Sequence, residues 1–250
     1  MTDCLSFLSN GRGGKKPAFT LAEILVTLGV IGIIAAMTLP MLAKNYNFYI
    51  RQQQFKKAYA ALEIAVQKTQ IDMGEGVRCF YLNNSWIEDN MKGCSYFYSE
   101  LTKNLQLLKV CEGNALRDGC IPKNIRGLEE VYKDSTGESL PSTQVSGCHG
   151  FLQNQIYNSA TAYVFNSFVV IPYYGHANEF RQMAVFLIDI NSHKGPNKWG
   201  HDIFLLQFDK KKETDSVFKI EPCIRCHPID KGGYYTKTFI EYLYGRNAEL

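Results

Sequence analysis

The sequence predicts an α+β protein in which a long N-terminal helix packs on a C-terminal antiparallel β-sheet. Three observations carry that expectation. Residues 19–39 form an almost unbroken apolar run with Glu23 as its only charge. A helical stripe of apolar residues continues as far as Met73. From about residue 159, short runs rich in Val, Ile, Phe and Tyr alternate with turn formers and read as strands. A long helix followed by consecutive strands is the α+β pattern, with the helix laid on one face of the sheet.

The first half of the predicted helix has the length and composition to cross a bilayer. Phe19 to Leu39 spans 21 residues, about 31 Å at 1.5 Å per residue, enough for the hydrocarbon core. Arg12, Lys15 and Lys16 precede it, so the positive-inside rule keeps the N-terminus cytoplasmic and exports the chain beyond Ala43. A cleaved signal peptide has a shorter apolar core, of about 7–15 residues, and a small-residue site behind it. Here the run is longer and ends in Met37-Thr38-Leu39-Pro40. A central acidic residue costs roughly 2.5–3.5 kcal/mol on insertion scales, so a membrane carboxylate implies a function and a partner.

Beyond Pro40 the pattern becomes amphipathic. Phe55, Tyr59, Leu62, Val66 and Met73 fall on one stripe at spacings of four, three, four and seven. Arg51, Lys56, Lys57, Glu63 and Lys68 lie mostly off it, and Gly74 and Gly76 end it. Residues 20–73 therefore read as one helix, about 80 Å long, bent where Pro40 removes a backbone hydrogen bond.

Residues 15–45 carry a resemblance of high specificity. Lys15-Lys16-Pro17-Ala18-Phe19-Thr20-Leu21-Ala22-Glu23, followed by Gly32 and Pro40, resembles the cleavage and methylation signature of type IV prepilins and type II secretion pseudopilins. The resemblance implies a pilin-like fold and a chain divided into a basic cytoplasmic leader (1–18), a transmembrane and assembly helix (19–43), its amphipathic continuation (44–73) and an exported head (74–250). It implies cleavage between Ala18 and Phe19 by prepilin peptidase, and N-methylation of Phe19. Glu23 would then pair with the Phe19 ammonium of a neighbouring subunit as helices pack into a filament. The family normally carries glycine before the cut, and this chain has Ala18. The partners implied are prepilin peptidase, other pilin or pseudopilin subunits, the inner-membrane assembly platform and membrane lipid. The place implied is the bacterial inner membrane, with the head periplasmic or extracellular and the filament at the cell surface.

The exported region is harder to read. Residues 74–157 are rich in cysteine and glycine and show few periods beyond a short helix expected over Lys103–Val110. Ala160–Ile171, Gln182–Ile190, Asp202–Phe208 and Ser216–Ile220 read as antiparallel strands. Cys79, Cys94, Cys111, Cys120, Cys148, Cys223 and Cys226 come after the apolar run, which fits an oxidised compartment and disulfide bonds of undetermined connectivity. Seven is odd, so at least one is not paired within the chain. Beyond residue 18 there are 24 basic and 23 acidic side chains. That balance argues against a dedicated nucleic-acid partner, although a competence pilus for DNA uptake stays an alternative.

Two stretches offer ligands. Asp189, Asn191, Asn197 and Asp202 lie in a loop, DINSHKGPNKWGHD, similar to one in many bacterial pilin-like proteins, and some pseudopilins hold calcium nearby. Their oxygens suit calcium, which takes six to eight hard donors. The same residues are also ordinary turn formers. Cys223-Ile-Arg-Cys226-His227 matches the Cys-x-x-Cys-His pattern of c-type haem attachment, and its alternative is a disulfide near the C-terminus. Read as haem, it makes the chain a membrane-anchored electron carrier, with His149, His176, His193 or His201 as a second axial ligand. No serine-hydrolase elbow, zinc-protease helix, phosphate loop or dinucleotide fingerprint occurs. The expectation is therefore a structural subunit that is no enzyme and requires no cofactor.

Overall fold

The computed structural model describes residues 20–74, 79–80, 92–140, 151–172, 185–209, 219–222 and 229–245. The described residues up to Asn47 and those from Phe48 onward form two compact units.

Helix α1 runs from Leu21 to Met73 without interruption and contains Pro40. Thr20 and Glu23 build a capping box at its start. The Glu23 N–H donates to Thr20 Oγ1 (3.2 Å), and Thr20 N–H and Oγ1–H donate to Glu23 Oε2 at 2.8 and 2.9 Å. Two orphan donors of the first turn are thereby satisfied. In the first unit the apolar side chains of α1 face outward, Leu25, Ile31 and Met37 among them. This stretch is long and apolar enough to cross a membrane, and none of it is buried.

From Phe48 onward α1 turns one face inward. Phe55, Tyr59, Leu62 and Val66 are buried and Met73 packs at the edge of the same core, as the stripe predicts. Ala58, Ala65, Thr69 and Gln70 complete the face. Tyr59 donates its hydroxyl to the Ile220 carbonyl at 2.7 Å. Burying a side chain such as Phe55 or Leu62 is worth roughly 1.5–3 kcal/mol, so this half of the helix is held by tertiary packing.

Next come two short parallel strands, β1 (Cys79–Phe80) and β2 (Lys92–Gly93), then helix α2 (Cys94–Lys103). The main sheet has six antiparallel strands in chain order: β3 (Leu107–Glu112), β4 (Thr161–Phe165), β5 (Val169–Pro172), β6 (Val185–Asp189), β7 (Ile203–Asp209) and β8 (Lys219–Pro222). Helices α3 (Leu128–Thr136) and α4 (Gln153–Asn158) lie between β3 and β4, and α5 (Thr236–Tyr244) comes after β8. The helix expected over Lys103–Val110 is a correction: α2 ends at Lys103 and Leu107–Glu112 pairs with β4. A short apolar run does not distinguish helix from strand by period alone, and here cross-strand pairing decides.

Helix α1 lies on one face of the sheet, as expected, and the other face is covered as well. Along β6 and β7, Phe186, Ile188, Phe204 and Leu206 join α1, α2 and α5, whereas Val185, Leu187, Ile203 and Leu205 join α3, α4 and the Cys111–Cys120 loop. Strict alternation sends successive side chains to opposite faces, so a strand that is apolar at every position needs two covering layers. The disulfide Cys111–Cys120, with sulfurs 2.00 Å apart, closes a short loop in the second layer. A loop of this size contributes about 2.7 kcal/mol in the chain-entropy account.

Candidate functional site

The loop between β6 and β7 gathers the four oxygen-bearing residues singled out in the sequence. Asp189 is the last residue of β6, and its Oδ1 accepts the Asn191 N–H at 3.1 Å, an Asx-type turn that leads the chain off the sheet. The loop then passes a cis Gly195–Pro196 bond and left-handed residues at Ser192, Asn197 and Gly200. Gly200 is required twice over, by its positive φ and because a side chain there would meet the Tyr234 backbone at 2.6 Å.

Asp202 is the hub of the loop. Its Oδ2 accepts the Asn197 N–H at 2.8 Å and Asn191 Nδ2–H at 3.1 Å, and its Oδ1 accepts the Lys198 N–H at 2.7 Å. Asn191 Nδ2 also donates to the Gly195 carbonyl, and Asn197 Nδ2 donates to Asn124 Oδ1 at 2.6 Å. The donors of both amides are thus engaged while their oxygens are not. Among the described residues, four buried side-chain oxygens lack a hydrogen-bond partner, and three are Asp189 Oδ2, Asn191 Oδ1 and Asn197 Oδ1. Asp189 and Asp202 are fully buried. Burial pushes the Asp189 carboxyl well above the usual carboxylate range, opposed by backbone N–H groups and reinforced by the nearby charge of Asp202. Burial raises Asp202 as well, against the pull of its three hydrogen bonds.

Asp189 Oδ2, Asn191 Oδ1 and Asn197 Oδ1 are desolvated and accept no hydrogen bond, and with the Asp202 carboxyl they make a set of hard, oxygen-only donors. An unpaired buried acceptor costs about 1–3 kcal/mol, and a cation placed among these oxygens removes that cost. The set fits calcium better than zinc or copper, which favour nitrogen and sulfur. Among the described residues no three His, Cys, Asp or Glu side chains cluster.

A network not legible in the sequence clamps this loop. Trp199 donates its N–H to Asp230 Oδ2 (2.8 Å) and its Nε1–H to the Arg126 carbonyl (2.9 Å). Arg126 donates to Asp230 Oδ1 at 2.5 Å and to Asp134 Oδ2 at 2.6 Å. His201 accepts from Arg51 at Nδ1 (3.0 Å), so its Nε2–H donates to the Lys231 carbonyl (3.2 Å). Burial, aided by the Arg51 charge, holds His201 below the ordinary imidazole value. Asn124, Arg126 and Asp230 carry no local signal, because their partners lie far away along the chain. Thr20 did carry one, since Ser/Thr-x-x-Glu before an apolar run is a capping signature.

Of the other predicted site residues, Glu23 stands in the first turn of α1 and Pro40 within that helix. Ala18, Phe19, Cys223, Cys226 and His227, together with His149 and His176, lie outside the described residues. Comparison of the chain with protein-family models, with curated proteins and with solved structures finds no match.

Proposed function

We propose that this chain is a structural subunit of a type IV pilus or type II secretion pseudopilus, processed at Ala18–Phe19, held in the bacterial inner membrane and polymerised through α1. The observation that carries the reading is an unburied apolar helix segment with one carboxylate, Glu23, in its first turn, directly behind the Lys15–Phe19 motif. Glu23 already accepts two hydrogen bonds from Thr20 on Oε2. A carboxylate has about four acceptor sites, so capacity remains for the ammonium of a neighbouring Phe19. In a dry helical bundle each charge satisfies the other, and either alone is penalised. The subunit's work is assembly, with no bond chemistry. N-terminal mass spectrometry of protein from cells tests this: a chain beginning at N-methylated Phe19 is expected, and an intact Met1 start overturns it.

The reading extends to the β6–β7 loop, where Asp189, Asn191, Asn197 and Asp202 would hold a calcium ion that stiffens the head. The three unpartnered buried oxygens support it. When bound, the ion supplies positive charge and fixed coordination, and the protein supplies desolvated oxygens on a loop pinned by Trp199 and Asp230. Melting of the full chain in detergent, with and without calcium, checks it. At a calcium concentration a hundred times the Kd, stability rises by about 2.7 kcal/mol; an unchanged melting temperature overturns this part.

A further inference from the structure

We infer that Asn124, outside the β6–β7 loop, is a positioning residue that turns the Asn197 amide oxygen-inward and so sets the cation affinity of the loop; this rests on the calcium reading above. A side-chain amide has two ends of nearly equal shape, one accepting and one donating, and only its hydrogen bonds decide which way it lies. Asn197 is buried to 2% exposure, and its Nδ2 donates to Asn124 Oδ1 at 2.6 Å. That bond leaves Asn197 Oδ1 buried without a partner, in the same condition as Asp189 Oδ2 and Asn191 Oδ1. Turned over against an unturned Asn124, Asn197 would present an NH2 in place of a ligand oxygen and meet Asn124 Oδ1 with a second acceptor.

The backbone on both sides of Asn124 is held in place. The carbonyls on either side of it, of Lys123 and Ile125, both accept the Tyr157 hydroxyl, at 3.0 and 2.6 Å. The next residue, Arg126, accepts Trp199 Nε1–H from the loop itself. Ile125 is fully buried while the Asn124 side chain is exposed, so substitution at 124 spares the core. The geometry therefore separates two jobs: Asn197 offers the oxygen and Asn124 chooses its direction.

Calcium affinity of the chelator-treated full chain in detergent, measured by titration calorimetry, tests this in five proteins: the wild type, Asn124→Ala, Asn124→Asp, Asn197→Asp and the double variant Asn124→Ala/Asn197→Asp. Loss of a partner that orients a metal ligand typically weakens binding 10–100-fold, so Asn124→Ala is expected to raise Kd at least about tenfold. Asn124→Asp, an acceptor only, is expected to bind at least as tightly as wild type. A carboxylate offers oxygen at both ends, so Asn124→Ala is expected to change nothing once Asn197→Asp is present. Unchanged affinity in Asn124→Ala overturns the inference and leaves the calcium reading standing. Equal weakening by Asn124→Ala in both backgrounds also overturns it, because Asn124 would then only support the loop. A wild type that binds no calcium removes the calcium reading and this inference together.

Discussion

Asp230 shows how much one side chain can hold at the residue scale. It is buried, and it receives both the Arg126 guanidinium and the Trp199 N–H. Asp230→Ala leaves the buried Trp199 N–H without its acceptor and takes one carboxylate from Arg126, which keeps Asp134. A loss of about 1–3 kcal/mol is expected, read from urea unfolding of the full chain; a loss below about 0.5 kcal/mol would show that the clamp is replaceable. His201 carries a pH dependence whose sign comes from its depressed pKa. The folded state favours the neutral ring, so its contribution is whole above the unfolded value of about 6.5 and is lost as pH falls through the lower folded value. Arg51, Lys231, Asp202 and Asp230 face it, the two carboxylates opposing Arg51 and burial. Between pH 7.5 and 5.5 the melting temperature of wild type should fall further than that of His201→Gln. Equal falls would place the acid sensitivity elsewhere.

At the scale of elements, α1 is two helices in energetic terms. Phe55 is buried against Tyr59, Phe204 and Phe239 at ring separations of 5.8, 5.0 and 5.2 Å. Phe55→Ala should cost about 3–5 kcal/mol through lost transfer energy and a cavity. Ile64, on the opposite face and 67% exposed, should tolerate alanine within about 0.5 kcal/mol. Parallel urea melts check the contrast, and equal losses would contradict the placement of the buried face. Helix α5 has no clear signal in the sequence, and its aromatics explain why it docks: Phe239 stacks on Phe204 at 4.7 Å, and Tyr242 meets Phe48 at 5.4 Å. It is short, so packing rather than intrinsic propensity holds it.

For the molecule as a whole, the capping box gives Glu23 two duties. It satisfies the start of α1 within one chain, and under the proposed function it also pairs with a neighbouring subunit. Glutamine at this position keeps a capping box but carries no charge. Glu23→Ala should leave the subunit in the membrane and block or weaken filament assembly, as read by electron microscopy of sheared filaments. If charge pairing is the cause, Glu23→Gln should fail equally. Normal filaments from Glu23→Gln would assign the carboxylate to the cap alone.

Much of this architecture was legible in the chain because it depends on neighbours. The stripe through Phe55 and Val66 is periodic and its burial tracks the period, while the apolar run and the strands show as continuous apolar stretches bounded by charges or turn formers. The Thr20–Glu23 pair was also readable, three residues apart. What tertiary structure alone decided lies between distant residues: Asn197 with Asn124 across 73 positions, Arg126 with Asp230 across 104. The second layer over the sheet belongs to the same class; the partner of Cys111 is near in sequence, and the fold alone picked it from several cysteines. The sequence placed hard oxygens at Asp189, Asn191, Asn197 and Asp202, where a turn and a cation site look alike. Only folding showed that the amide donors are consumed and three oxygens stay buried and unpaired, because desolvation is a property of the surroundings and not of the residue.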